Sequence, residues 1–179
     1  MRPYQPAEDS ILLSKTLQKY VGEAVLEIGI GSGYTCKGLS KNPFVVGTDI
    51  NSESLEEAHT RLKSSHIENI ELVQCDGASP FREECFDLVV FNPPYLPSEV
   101  INDSTVDGGK KGIEVLNKFL DHSIRVLSDS GLIIFVLSTL TDYKKVLNNL
   151  RKKGFKIKKK DSQKLFFEEI FIIEISRVG

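Results

Sequence analysis

Asn92, Pro93, Pro94 and Tyr95 stand in a row behind an apolar run, Phe86-Asp87-Leu88-Val89-Val90-Phe91. The run reads as a buried strand, which puts the tetrapeptide at a strand's carboxyl end, where open α/β sheets hold their ligands. Adjacent prolines cannot continue a ladder and offer no N–H groups. Carbonyl oxygens, one amide and one phenol ring remain. Two acceptors and a π-face suit a flat group that carries an NH2. Taken alone, Pro-Pro is more simply a loop punctuator. A second constellation upstream on the same sheet gives the chemical reading its weight.

That second constellation is Val25-Leu26-Glu27-Ile28-Gly29-Ile30-Gly31-Ser32-Gly33, a buried strand leading through three glycines toward a helix. Gly29, Gly31 and Gly33 let the backbone turn tightly and let a ligand come close. Their spacing is GxGxG, not the GxGxxG of dinucleotide enzymes. Glu27 stands just before the loop, where it would repel a pyrophosphate and hold an ammonium group. Asp49 ends the next strand, at about the place where an acidic residue takes ribose hydroxyls, with Ile50 beside it. Asp76 follows the third strand and can accept from an adenine amino group, with the Gly77 backbone alongside. An adenosine joined to a cationic amino acid satisfies all of these together, so the expected cofactor is S-adenosylmethionine.

These residues need a scaffold, and the pattern supplies one. Short apolar runs alternate with helical spacings, which predicts an α/β fold with a mostly parallel sheet. Strands are expected at residues 24–28, 44–49, 70–74, 86–91 and 132–137. Two more, at 155–159 and 167–175, read as an antiparallel pair. Helices are expected from Glu8-Asp9-Ser10 onward, from Asn51 or Ser52, over 112–127 and over 141–153, with a short one after the glycine loop. Gly154 suits a helix C-cap. Residues 96–111 are polar and glycine-containing and read as a substrate-facing loop.

The chain has 179 residues and a net charge of -2, so one domain spanning 1–179 is expected, with no overall basic footprint for duplex nucleic acid. Residues 151–160 are basic; a nucleic-acid patch and a lysine-blunted edge strand are the two readings, and the alternation Phe155-Lys156-Ile157-Lys158 favours the second. No stretch approaches a membrane span, and Met1-Arg2-Pro3 runs into polar sequence without a leader pattern. Cys36, Cys75 and Cys85 have no metal-ligand spacing, so no metal is expected, and scattered cysteines fit a reducing, cytoplasmic setting. His59, His66 and His122 are isolated from one another, and surface or half-buried helix positions are expected for them.

Asn-Pro-Pro-Tyr behind a GxGxG loop resembles the class I S-adenosylmethionine-dependent methyltransferases that modify planar amino groups. The opening Tyr4-Gln5-Pro6-Ala7-Glu8-Asp9-Ser10 and the segment Asp107-Gly108-Gly109-Lys110-Lys111-Gly112 resemble the short eukaryotic and archaeal branch of the HemK family. The resemblance implies a Rossmann-like sheet of seven strands with an antiparallel C-terminal hairpin and helices on both faces. It implies N5-methylation of the glutamine in the GGQ motif of class 1 translation release factors. Ser10 would contact the methionine end of the cofactor, and Glu27, Gly29, Asp49, Asp76 and Asn92 would complete the pocket. The strand order it implies leaves Ile70-Glu71-Leu72-Val73-Gln74 at a sheet edge. A small zinc-binding activator protein would add a strand there; cover by the chain's own helix or loop is the plainer alternative. Two other functions stay open. An adenine amino methyltransferase shares the planar acceptor but calls for basic surface, and a cofactor-binding subunit without activity would not need Asn92 to Tyr95.

Overall fold

The computed structural model describes residues 8–94 and 113–179. In chain order the elements are α1 (Glu8–Leu17), β1 (Val25–Ile28), a 3-10 turn (Thr35–Leu39), β2 (Val45–Asp49), α2 (Ser52–Ser64), β3 (Ile70–Gln74) and β4 (Phe86–Phe91). Then come α3 (Glu114–Val126), β5 (Leu127–Ser138), α4 (Tyr143–Lys152), β6 (Phe155–Lys164) and β7 (Glu169–Arg177). The strands make one sheet in the order β3-β2-β1-β4-β5-β7-β6. β1 to β5 run parallel, while β7 is antiparallel to both β5 and β6.

Alternation along each strand divides the apolar side chains between two faces. Leu26, Ile28, Val89, Phe91, Ile133, Phe135 and Leu137 pack with Leu116 and Leu120 of α3 and Val146 and Leu150 of α4. Val25, Leu88, Val90, Ile134 and Val136 pack with Leu12, Leu13 and Leu17 of α1 and Ala58 and Leu62 of α2. Helices therefore cover both faces, which is why the central strands read as continuous apolar runs. The order reverses direction at β1 and β4, so their carboxyl ends flank the crevice where such sheets bind ligands.

The structure departs from the sequence expectations at particular points. β5 begins at Leu127 rather than 132, because Leu127 pairs with Phe86 before a register shift restores Leu88 to Leu132. The last strand begins at Glu169, and Phe167 lies in the preceding turn. His66 is not on a helix: it follows α2 with a φ of 54°, the left-handed position that closes many helices. Tyr4 to Ala7, Tyr95, the loop at 96–111 and the segment Asp107 to Gly112 lie outside the described residues.

On the α1 side, Glu174 of β7 is buried and accepts from the Tyr20 hydroxyl at 2.7 Å, with Lys160 at 3.0 Å and Lys158 at 3.5 Å. Burial pushes the Glu174 carboxyl up, but Tyr20 and Lys160 outweigh it and hold the group below its ordinary value. Lys159 pairs with Glu169 and Lys153 with Asp121. Much of the basic run is thus matched within the fold, as an edge strand carrying lysines would have it.

Gly38 shows how tightly α1 is seated. A Cβ there would run into the Ser14 carbonyl oxygen and lie 2.9 Å from Leu17 Cβ. Gly38→Ala is expected to cost about 1–3 kcal/mol by overpacking, read as a lower midpoint in thermal or urea unfolding. An unchanged midpoint would mean that α1 moves freely on the sheet.

Candidate active site

Glu27 is the innermost charged group of the crevice. It lies on β1 and points to the α1 face, is 3 % exposed, and accepts a bond from the Cys36 thiol at 3.2 Å. Burial pushes its carboxyl up to about 7, against smaller lowering by hydrogen bonds from Cys36 and Thr35. A carboxyl poised between its two forms this deep inside a protein is a mark of functional sites.

The loop above it is shaped by Gly29, Gly31 and Gly33, with φ of 70°, 53° and 73°. Three left-handed residues at alternate positions would be strained in any other amino acid. Gly31 faces open space, with no atom within 4 Å of where a Cβ would sit, whereas at Gly33 that position is 3.1 Å from the Ala58 Cα of α2. One glycine therefore leaves room for a ligand and the other lets a helix approach. The Gly31 N–H donates to Asp49 Oδ2 at 3.0 Å, and the Asn51 N–H donates to Asp49 Oδ1 at 2.9 Å. Asp49 thereby ties the glycine loop to the end of β2. Ile50 next to it is 69 % exposed, an apolar face at the crevice mouth.

Asp76, past the end of β3, is engaged by a residue that the sequence reading did not single out. Lys118 Nζ of α3 meets its Oδ2 at 2.6 Å, in a half-exposed pair. Exposed pairs of this kind are worth about 0–1 kcal/mol, so a ligand can displace the lysine. Two further α3 residues hold the same loop. The Ala78 N–H donates to His122 Nδ1 at 2.8 Å, and Arg125 donates to the carbonyls of Ala78 and Phe81 at 2.6 and 2.7 Å. A Cβ at Gly77 would lie 2.6 Å from His122 Nδ1, so the loop and the ring fit only with glycine there. Phe119, stacked edge-on against Phe91 at 5.7 Å, also approaches Gly29. The missed signal was the spacing Lys118, His122, Arg125, a polar stripe beside the apolar face of α3.

At the end of β4, Pro93 is buried and Asn92 and Pro94 are half-buried. Asn92 Nδ2 donates to Ser10 Oγ at 3.3 Å, and that hydroxyl in turn donates to Asp9 Oδ1 at 3.2 Å. The Ser10 proton is committed to Asp9, so the lone pair is what faces Asn92, and the amide is oriented with its nitrogen toward α1. Asn92 Oδ1 points the other way. Among the described residues it is the buried side-chain oxygen with no hydrogen-bond partner. An orphaned buried acceptor costs about 1–3 kcal/mol, an expense that a donor on an incoming molecule would remove. Ser10 and Asn92 are thus brought together, Glu27 and the glycine loop lie at the neighbouring strand end, and Asp76 stands at the far side behind Lys118.

Among the described residues there is no group of three or more His, Cys, Asp or Glu side chains able to hold a metal. Among those residues no helix is long and apolar enough to cross a membrane.

The methyltransferase small domain family model matches residues 8–166. A Methanocaldococcus jannaschii protein, provisionally named a protein N5-glutamine methyltransferase, is 37% identical over 186 residues, covering 98% of this chain and 92% of its own. Human Methyltransferase HEMK2 is 31% identical over 170 residues, covering 84% of this chain and 78% of its own. The solved Mtq2–Trm112 complex of E. cuniculi, described as responsible for methylating the eRF1 termination factor, superposes with a TM-score of 0.81 at 29% identity, over 99% of this chain and 100% of that one.

Proposed function

The chain belongs to the methyltransferase small domain family, and from that premise we propose that it N5-methylates the glutamine of the GGQ motif in a class 1 release factor. S-adenosylmethionine is the cofactor, and it supplies a sulfonium-bound methyl group. In this reading the chain is one domain over residues 1–179 and works in the cytoplasm.

The observation that carries the acceptor side is the orphaned Asn92 Oδ1. A glutamine amide nitrogen is a poor nucleophile because its lone pair is shared with the carbonyl. Asn92 Oδ1 and the Pro93 carbonyl accept its two protons, turn the lone pair toward the methyl group and stabilise the positive charge that grows on nitrogen. Pro94 and Tyr95 complete the wall, with the Tyr95 ring against the amide plane. Ser10, through its bond to Asn92 Nδ2, aims the acceptor oxygen. No dedicated base is needed, since the product's extra proton leaves to water. On the cofactor side, Glu27 takes the ammonium group, Gly29, Gly31 and Gly33 line the close approach, and Asp49 takes ribose hydroxyls. Ile50, Asp76 and Gly77 border the adenine. Mass mapping of the reacted factor is expected to place one methyl on the glutamine side chain; a methyl on lysine would contradict the Asn92 chemistry.

The partner is a small zinc-binding activator that pairs with β3. Two features support this. β3 is the terminal strand of the sheet. Beside it lies a cleft of about 710 Å³ lined by Leu62, His66, Ile67, Ile70 and Leu72. A terminal strand bordered by apolar surface is suited to strand addition. Co-expression with the activator is expected to raise both the yield of dispersed protein and the specific activity. A chain that is monodisperse and fully active alone would contradict the partnership.

A further inference from the structure

The β6–β7 hairpin ends in two phenylalanines that folding does not ask for. The Leu165 N–H donates to the Glu168 carbonyl at 2.8 Å, which leaves Phe166 and Phe167 as the two central residues of the turn. Two-residue hairpin loops favour Asn, Asp or Gly there, with positive φ. Neither phenylalanine has it; His66 and Glu84 are the non-glycine residues with positive φ among those described. The rings are 92 % and 86 % exposed and stack edge-to-face on each other at 4.7 Å. Adjacent exposed aromatics at a turn break a local rule at a visible cost, and such places mark contact surfaces.

The tip is firmly mounted. The Thr139 N–H donates to the Glu169 carbonyl at 3.0 Å, and the Glu169 N–H donates to Thr139 Oγ1 at 2.9 Å. Ser138 Oγ donates to Glu168 Oε2 and accepts from the Leu140 N–H at 3.0 Å. A presentation so braced costs little ordering on contact.

Sheet register places the tip relative to the acceptor oxygen. Phe91 pairs with Phe135, Phe135 with Ile173, and Ser138 with Ile170. The tip is therefore on the same rim as Asn92, two strands over, roughly 10 Å, and about five residues further out, roughly 16 Å. The glycine loop, Asp49 and Asp76 occupy the β1–β3 half of that rim, so the hairpin stands on the opposite, acceptor half. A lone glutamine or a single base cannot span that distance. A folded protein presenting its target on a loop can, with chain about five or six residues from the modified side chain.

We propose that Phe166 and Phe167 form a docking platform for the protein substrate, gripping apolar surface of the release factor beside the loop that carries its glutamine. This rests on the release-factor reading above. Aromatic anchors of this kind carry a large share of interface affinity. The test compares wild type with Phe166→Ser/Phe167→Ser, both in complex with the activator. The expected result is a KM for the whole release factor raised at least tenfold, with kcat within about twofold. Cofactor affinity and the rate on a short glutamine-bearing peptide are expected to stay unchanged. Unchanged KM with a wild-type enzyme that methylates the factor overturns the platform alone. A wild type that leaves the factor's glutamine unmodified overturns the release-factor reading and this inference with it. A photocrosslinker, Phe167→p-benzoylphenylalanine, reads contact without turnover. Crosslinks to the glutamine-bearing domain support the platform; crosslinks only to the activator or to a second copy of the chain overturn it.

Discussion

Asn92→Ala is expected to lower methyl transfer by about 10²–10³-fold while cofactor affinity changes little. Asn92 Nδ2 is held by Ser10 Oγ, and Oδ1 is the buried acceptor without a partner among the described residues. That oxygen has work only when a donor arrives, so its loss falls on the reacting complex and leaves the cofactor contacts proposed at Glu27, the glycine loop, Asp49 and Asp76 intact. Ser10→Ala makes the companion measurement. It leaves Asn92 its oxygen but removes the bond that aims it, so a smaller fall in kcat is expected, on the order of tenfold. Quench-flow transfer rates and calorimetric cofactor titration separate the two effects. Turnover near wild type in Asn92→Ala would remove Asn92 from the chemistry.

Glu27→Gln is expected to weaken cofactor binding by about 10²-fold and to flatten its pH dependence. In the free chain burial raises the Glu27 carboxyl to about 7. An ammonium ligand needs the ionised form, so wild-type affinity is expected to fall roughly tenfold from pH 8 to pH 6 as the carboxyl takes up its proton. Binding near pH 7 should then release a proton, seen as a heat that varies with the ionisation enthalpy of the buffer. Stability runs the opposite way. Because the folded carboxyl sits above its unfolded value, the free chain holds this contribution below about pH 4.5. It loses it as pH rises through about 7, and bound cofactor restores it. A wild-type affinity that is level between pH 6 and 8 would show that Glu27 does not meet a cation.

The parts of this site that lie next to each other in the chain could be read directly. A buried run followed by Gly29, Gly31 and Gly33, and another followed by Asn92 and Pro93, announce strand ends because turn chemistry is local. Asp49 and Asp76 follow their strands for the same reason. What could not be read is long-range. Ser10 and Asn92 meet across 82 positions. Lys118, His122 and Arg125 reach the loop at 76–81 only because α3 lies over it. The extension of β5 back to Leu127 depends on Phe86 as its neighbour, a pairing no single segment encodes. Phe167 was misplaced for a different reason. Aromatic residues favour strands, and only the closed turn between Leu165 and Glu168 shows that it lies outside one.

Action of Asn92 and its strand end on a release-factor glutamine is tested most directly by transfer of a labelled methyl group from S-adenosylmethionine to a class 1 release factor, with the activator present and a GGQ Gln→Ala factor in parallel. Label is expected on the native factor and none on the Gln→Ala form. Equal label on both, or label on nucleic acid and none on the factor, would contradict it.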